Sequence, residues 1–213
     1  MPRRERENTL PSFAAALAAG AQGIELDVHA TADGTVVVHH DPVTSTGVEI
    51  AAARWSDLNA AVGQAAGLTT IPSLASVCEL VADRAELFVE IKGEGIEEAV
   101  AAALDGRRGR FAIHSFDHST IGRLARARVP YRLGLLFDDS VDEAVDVMAQ
   151  YGASDAWPHR RLIDRSLVER IQRSGGRVIA WTVNSASEAR RLAGYGIDGI
   201  CTDDVTILDS VDA

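Results

Sequence analysis

Short apolar runs rich in Ile, Val and Leu alternate along the chain with longer segments whose apolar residues recur at helical spacing. The runs GIELDV (23–28), ELFVEI (86–91), RFAIH (110–114), RLGLLF (132–137), SDAWP (154–158), RVIAWTV (177–183) and DGICTD (198–203) predict strands. Between them the spacing predicts helices at about 10–19, 73–82, 95–104, 118–127, 141–150, 164–174 and 186–194. Ser73, Asp164 and Ser185 stand where N-caps belong, and Thr9 or Asn8 opens the first helix. Gly20, Gly152 and the pair Gly175–Gly176 stand where helices should stop.

Continuous apolar strands separated by helices indicate a parallel sheet covered on its outside. Seven of them, with no long linker, favour one domain over residues 1–213 in the α/β class, closed as a TIM-type (β/α)8 barrel. A doubly wound open sheet is the alternative, but no GxGxxG follows the first strand. The stretch 42–72 reads as loop plus a short helix. Eight strands are needed and seven are visible, because the chain opens on a helix. The barrel is therefore expected to lack its first strand, which an N-terminal extension of roughly 10–20 residues would supply.

Within this pattern one cluster of polar residues is poorly explained as surface. Glu25 and Asp27 lie two apart in a strand, so they project from one face. Asp33–Gly34 is a two-residue hairpin signal between HATA and TVVVHH, which predicts a β-hairpin extension after the ELDV strand. With those two residues as the turn, Asp27 faces His40 and Glu25 lies diagonal to it. Glu90, in LFVEIKGE, would bring a third carboxylate at the C-terminal end of a strand, where barrel active sites collect. Three oxygen ligands with no thiolate suit a hard cation, Mg²⁺ or Ca²⁺. Lys92 projects to the same side as Glu90 and adds a point charge suited to phosphate.

Composition narrows the partners. The 213 residues are 46% hydrophobic and 24% charged, as in ordinary folded proteins. The net charge of −10 disfavours nucleic acid and stable association with anionic membranes, though not a small anionic substrate at a local cationic site. Of 21 basic residues only Lys92 is a lysine. Two distant cysteines, Cys78 and Cys201, and no apolar h-region fit a cytoplasmic protein.

The stretch ENTLPSFAAALAAGAQGIELDVHATADGTVVVHHDP resembles the opening of the glycerophosphodiester phosphodiesterase family. FVEIK, IHSFD, RLGLLF, AWTVN and GIDGICTD are similar to that family's later strands, in order. The resemblance implies a (β/α)8 barrel that hydrolyses small-molecule glycerophosphodiesters to sn-glycerol 3-phosphate and an alcohol with a divalent cation. It implies Glu25, Asp27 and Glu90 as metal ligands, His40 as one of two catalytic histidines and Lys92 as a phosphate contact. It further implies Trp181 and Phe116 as a wall for the alcohol or glycerol. The family's His-Arg-Gly motif does not precede ENT here, where only MPRRERE stands. Impaired activity is expected of the chain as given. A non-catalytic metal- or phosphoester-binding barrel and a related phospholipase-type phosphodiesterase are the alternatives.

Overall fold

The computed structural model of the protein describes residues 5–64 and 70–210. The chain divides into two compact units, Met1–Phe111 and Ala112–Ala213.

In the first unit, helix α1 (Leu10–Ala18) leads into strand β1 (Gly23–Ala30), and a hairpin returns as β2 (Val36–Val38). Helices α2 (Trp55–Gln64) and α3 (Leu74–Val81), strand β3 (Glu86–Ile91) and helix α4 (Glu97–Leu104) follow. β1 is central: it pairs antiparallel with β2 and parallel with β3. Leu26, Val28, Leu87 and Val89 are almost wholly buried. That leaves the alternate positions of the same strands free to carry Glu25, Asp27 and Glu90. Residues 42–72 contain the predicted loop and helix: Ile50 and Leu58 reach back to Val37 and Ile71, which pins this insertion to the hairpin.

The second unit opens within β4 (Arg110–Ser115) and continues as α5 (His118–Ala127), β5 (Arg132–Phe137), α6 (Ala144–Tyr151) and β6 (Asp155–Pro158). It ends with α7 (Arg165–Arg173), β7 (Arg177–Ala180), α8 (Ala186–Ala193) and β8 (Gly199–Ile200). Each strand from β4 to β8 pairs in parallel with the next. The predicted strands at 177–183 and 198–203 are thus shorter than their apolar runs. Beyond Ala180, among the described residues, only Trp181 adds a parallel bridge, to His159, and Val183 donates to the carbonyl of Cys201.

The predicted caps form. Ser73 accepts from the Ser76 amide, Asp164 from Leu167 and Ser185 from Glu188. Of the two candidates at the first helix, Thr9 takes the role, accepting from the Ser12 amide at 3.4 Å. Gly152 follows α6 at φ 70°, a left-handed closure that glycine adopts without strain. The Asp164 cap is short, 2.7 Å from Oδ1 to the Leu167 nitrogen. Asp164→Ala should cost about 1 kcal/mol, read as a lowered urea midpoint with the slope unchanged.

Candidate functional site

The hairpin differs from its predicted register. The loop has three residues, 32–34, not two: Gly34 donates to the carbonyl of Thr31 and Thr31 to that of Thr35. The Thr31 hydroxyl binds Asp33 at 2.6 Å, and Gly34 closes the loop at φ 80°. This is the turn-plus-left-handed-glycine solution of a longer hairpin. Val28 therefore lies opposite Val38, and the next position puts His39, not His40, against Asp27, with the His39 amide donating to the Asp27 carbonyl at 3.0 Å. His40 lies just past the ladder. It still senses the carboxylates: Asp27 favours its charged form, and its charge in turn stabilises that of Glu25.

β1 and β3 are in register with Asp27 beside Glu90. Both carboxylates are more than nine-tenths buried. Lys92 joins them, its Nζ 2.8 Å from Glu90 Oε1 and 3.4 Å from Asp27 Oδ1. Glu25 and Glu90 present carboxylate oxygens within 4.8 Å of each other. Burial, and then the Asp27 charge, push the Glu25 pKa well above the ordinary carboxylate range; Lys92 offsets this only in part. Three carboxylates around one ammonium leave a surplus of negative charge in a buried place. Such an oxygen-rich set can hold a divalent cation, and the residues present fit one.

Two further side chains organise this cluster, and sequence reasoning did not assign them. Asn8, held at φ 55°, clamps Asp27 twice. Its Nδ2 donates to Asp27 Oδ2 at 2.8 Å, and its Oδ1 accepts from the Asp27 amide at 3.3 Å. Because Thr9 caps the helix, Asn8 is free for this; its tolerance of left-handed backbone was the available signal. Asp41 is the second. Its Oδ1 lies 2.9 Å from His40 Nδ1, and this bond is the main reason the His40 pKa is raised. A carboxylate only accepts, so Nδ1 carries the proton and Nε2 is the nitrogen that titrates.

The remaining predicted residues lie in the second unit. Phe116 and Trp181 meet edge to face at 5.5 Å between ring centroids, with Phe116 40% exposed. Trp181 also takes the edge of His159 at 5.0 Å and donates its indole N–H to the Trp157 carbonyl. His114 stacks on Trp157, and His118 holds the Leu136 carbonyl between Phe137 and Tyr151.

Carboxylates beside a lysine and a histidine–aspartate pair give the first unit groups able to hold a cation and to move a proton. Residues 1–207 match the glycerophosphoryl diester phosphodiesterase family, and the chain belongs to that family, whose members hydrolyse glycerophosphodiesters. It is 31% identical to a glycerophosphodiester phosphodiesterase of Caldanaerobacter subterraneus subsp. tengcongensis, over 93% of this chain and 88% of the relative. Among solved structures, a glycerophosphodiester phosphodiesterase from Thermotoga maritima aligns with TM-score 0.86 and 26% identity, over 98% of this chain and 93% of the other. An Oleispira antarctica phosphodiesterase, solved with the product sn-glycerol-3-phosphate, has the same TM-score at 24% identity, covering 97% and 92%. Both show the barrel fold.

Proposed function

We propose that the chain cleaves glycerophosphodiesters to sn-glycerol 3-phosphate and an alcohol with Glu25, Asp27 and Glu90 holding a divalent cation, Mg²⁺ or Ca²⁺. The observation that carries this reading is the pair of buried carboxylates, Asp27 and Glu90, ion-paired to Lys92, the chain's one lysine, with the half-buried Glu25 carboxylate within 4.8 Å of that of Glu90. When bound, the cation supplies Lewis acidity at phosphoryl oxygens and lowers the pKa of a coordinated hydroxyl. Asn8 fixes the Asp27 carboxylate and its backbone together, so the ligand is positioned before substrate arrives. Lys92 holds its charge at the edge of the cluster, where it meets the phosphate. His40, oriented through Nδ1 by Asp41, presents Nε2 to give a proton to the departing alkoxide. Phe116 and Trp181 form an apolar edge in the second unit, of the kind that suits the carbon skeleton of an alcohol or of glycerol.

The uninterrupted match over residues 1–207 supports a single catalytic domain. Burial raises the Cys78 thiol to about 11, which leaves it inert, and we place the chain in the cytoplasm. No helix among the described residues is long and apolar enough to cross a membrane.

Glycerol 3-phosphate release from glycerophosphocholine tests the reading. Activity is expected with Mg²⁺ or Ca²⁺, lost in excess EDTA and regained on adding cation. His40→Ala should reduce it by about 10²–10⁴-fold. Turnover that survives EDTA, or is indifferent to His40→Ala, would overturn the assignment.

A further inference from the structure

The hairpin ladder ends where the histidine–aspartate pair begins. Val38 pairs with Val28, the His39 amide reaches the Asp27 carbonyl, and residues 40–42 then bend away. The pair does little to fix itself, since the His40 and Asp41 side chains are 54% and 71% exposed. A contact so open to water holds one geometry only weakly. The backbone beneath it is held instead, and imidazole rings hold it. His29 Nε2 lies 3.1 Å from the His40 carbonyl oxygen, and His39 Nδ1 lies 2.8 Å from that of Asp41. A carbonyl only accepts, so each of these nitrogens carries a proton and donates it. The Ile50 amide then donates to the Pro42 carbonyl at 2.9 Å, so three successive carbonyls are tied down. His29 is the deepest of these anchors. It stands on β1 two residues beyond Asp27, so it leaves the strand on the Asp27 face, and it is more than nine-tenths buried.

We infer that His29 is a positioning residue for the hydrolysis: its ring holds the His40 backbone and so sets where the His40 imidazole stands. The inference rests on the reading of His40 as the proton donor to the departing alkoxide. Glu25, Asp27 and His29 alternate along one strand, so the element that carries two of the carboxylates also anchors the acid. The anchor needs one N–H, which a neutral ring supplies, and involves no change of charge. Glutamine can offer an amide N–H near the place of Nε2, whereas leucine fills similar space and offers no donor. With leucine the His40 carbonyl loses its partner and the backbone there gains freedom. A misplacement of about 1 Å can cost up to about 10²-fold in a catalytic step. A buried histidine that merely supports the fold would affect every substrate alike. One that aims His40 affects chiefly the reaction that needs the proton.

Two diesters separate these roles: glycerophosphocholine, whose alkoxide leaves with a proton, and the glycerophosphate ester of p-nitrophenol, whose phenolate leaves without one. His29→Leu should lower kcat for the choline ester by about tenfold, with KM and cation affinity within about twofold of wild type. The loss for the nitrophenyl ester should be at least about fivefold smaller. His29→Gln should recover most of kcat. On a His40→Ala background, His29→Leu should cost less than about twofold more, because the group it aims is gone. Thermal midpoints accompany the kinetics; should His29→Leu not fold, His29→Phe keeps the volume of the ring and carries the same expectations. Equal losses for the two esters, no recovery in His29→Gln, or a further tenfold loss on the His40→Ala background would overturn the positioning role. So would wild-type kcat in folded His29→Leu. In each of these cases the hydrolytic function stands. Hydrolysis of the choline ester that is indifferent to His40→Ala would overturn the reading of His40, and the inference with it.

Discussion

Glu90→Gln should lower glycerophosphodiester hydrolysis by on the order of 10³-fold while leaving the fold intact. The substitution keeps the shape of the side chain and an oxygen to accept from Lys92, now 2.8 Å from Glu90. What it removes is one of three negative charges around one positive charge, which reduces the local surplus from two to one. A unit charge acting on another about 4 Å away, at an effective dielectric constant near 20, is about 4 kcal/mol, or about 10³-fold. The loss should appear first as weaker cation binding by titration calorimetry, and kcat/KM should recover in part at high Mg²⁺ or Ca²⁺. Glu25 makes the same site sensitive to acid. Its pKa is raised, so its proton competes with the cation at higher pH than for an ordinary carboxyl, and cation affinity should fall as pH drops. A Glu90→Gln enzyme within tenfold of wild type at every cation concentration would remove Glu90 from the site.

The parts of this arrangement set by periodicity were legible in the sequence. A strand forces Glu25 and Asp27 onto one face, and parallel pairing brings ELFVEI alongside GIELDV with Glu90 at the level of Asp27. The apolar runs located β3 and β5 to the residue because both faces of those strands are buried. Turn chemistry was less legible. Asp33–Gly34 suits a two-residue turn, but the Thr31 hydroxyl captures Asp33 and extends the loop by one residue, which shifts the whole register. Contacts between distant segments left no periodic trace at all. Asn8 and Asp27 are nineteen residues apart and meet only because α1 packs on the sheet. Asp155 lies inside the predicted strand SDAWP with nothing to set it apart, and its partners lie 23 and 22 residues away.

Asp155→Ala should destabilise the protein by about 3 kcal/mol without touching the catalytic residues. Asp155 is fully buried at the start of β6. Arg132, which opens β5, reaches it with Nε at 3.0 Å and Nη2 at 2.6 Å. Arg177, which opens β7, does the same at 3.0 and 2.6 Å. The carboxylate thus accepts charge-assisted bonds from both guanidiniums and ties three neighbouring strands together at their N-terminal ends, the face where barrels hold stability rather than chemistry. Removing one partner of a buried pair usually costs about 3–5 kcal/mol, because a charge is left behind out of water. Here the arginine side chains are 41% and 27% exposed, so both can rehydrate, and the cost should fall at the low end of that range. Their mutual repulsion, no longer neutralised, keeps it from falling further. For a protein of this size about 3 kcal/mol corresponds to roughly 6–12 °C in Tm. Asp155→Asn should cost less, since its carbonyl still accepts from one guanidinium. Added salt should change little in the wild type, where the carboxylate is out of reach of counterions, and should partly stabilise Asp155→Ala by screening the two arginines. Urea unfolding of the three proteins at low and high salt measures each of these differences. A loss below 1 kcal/mol for Asp155→Ala would mean that the desolvation of the carboxylate already cancels its bonds to the two arginines, leaving the three strands held by their apolar residues alone.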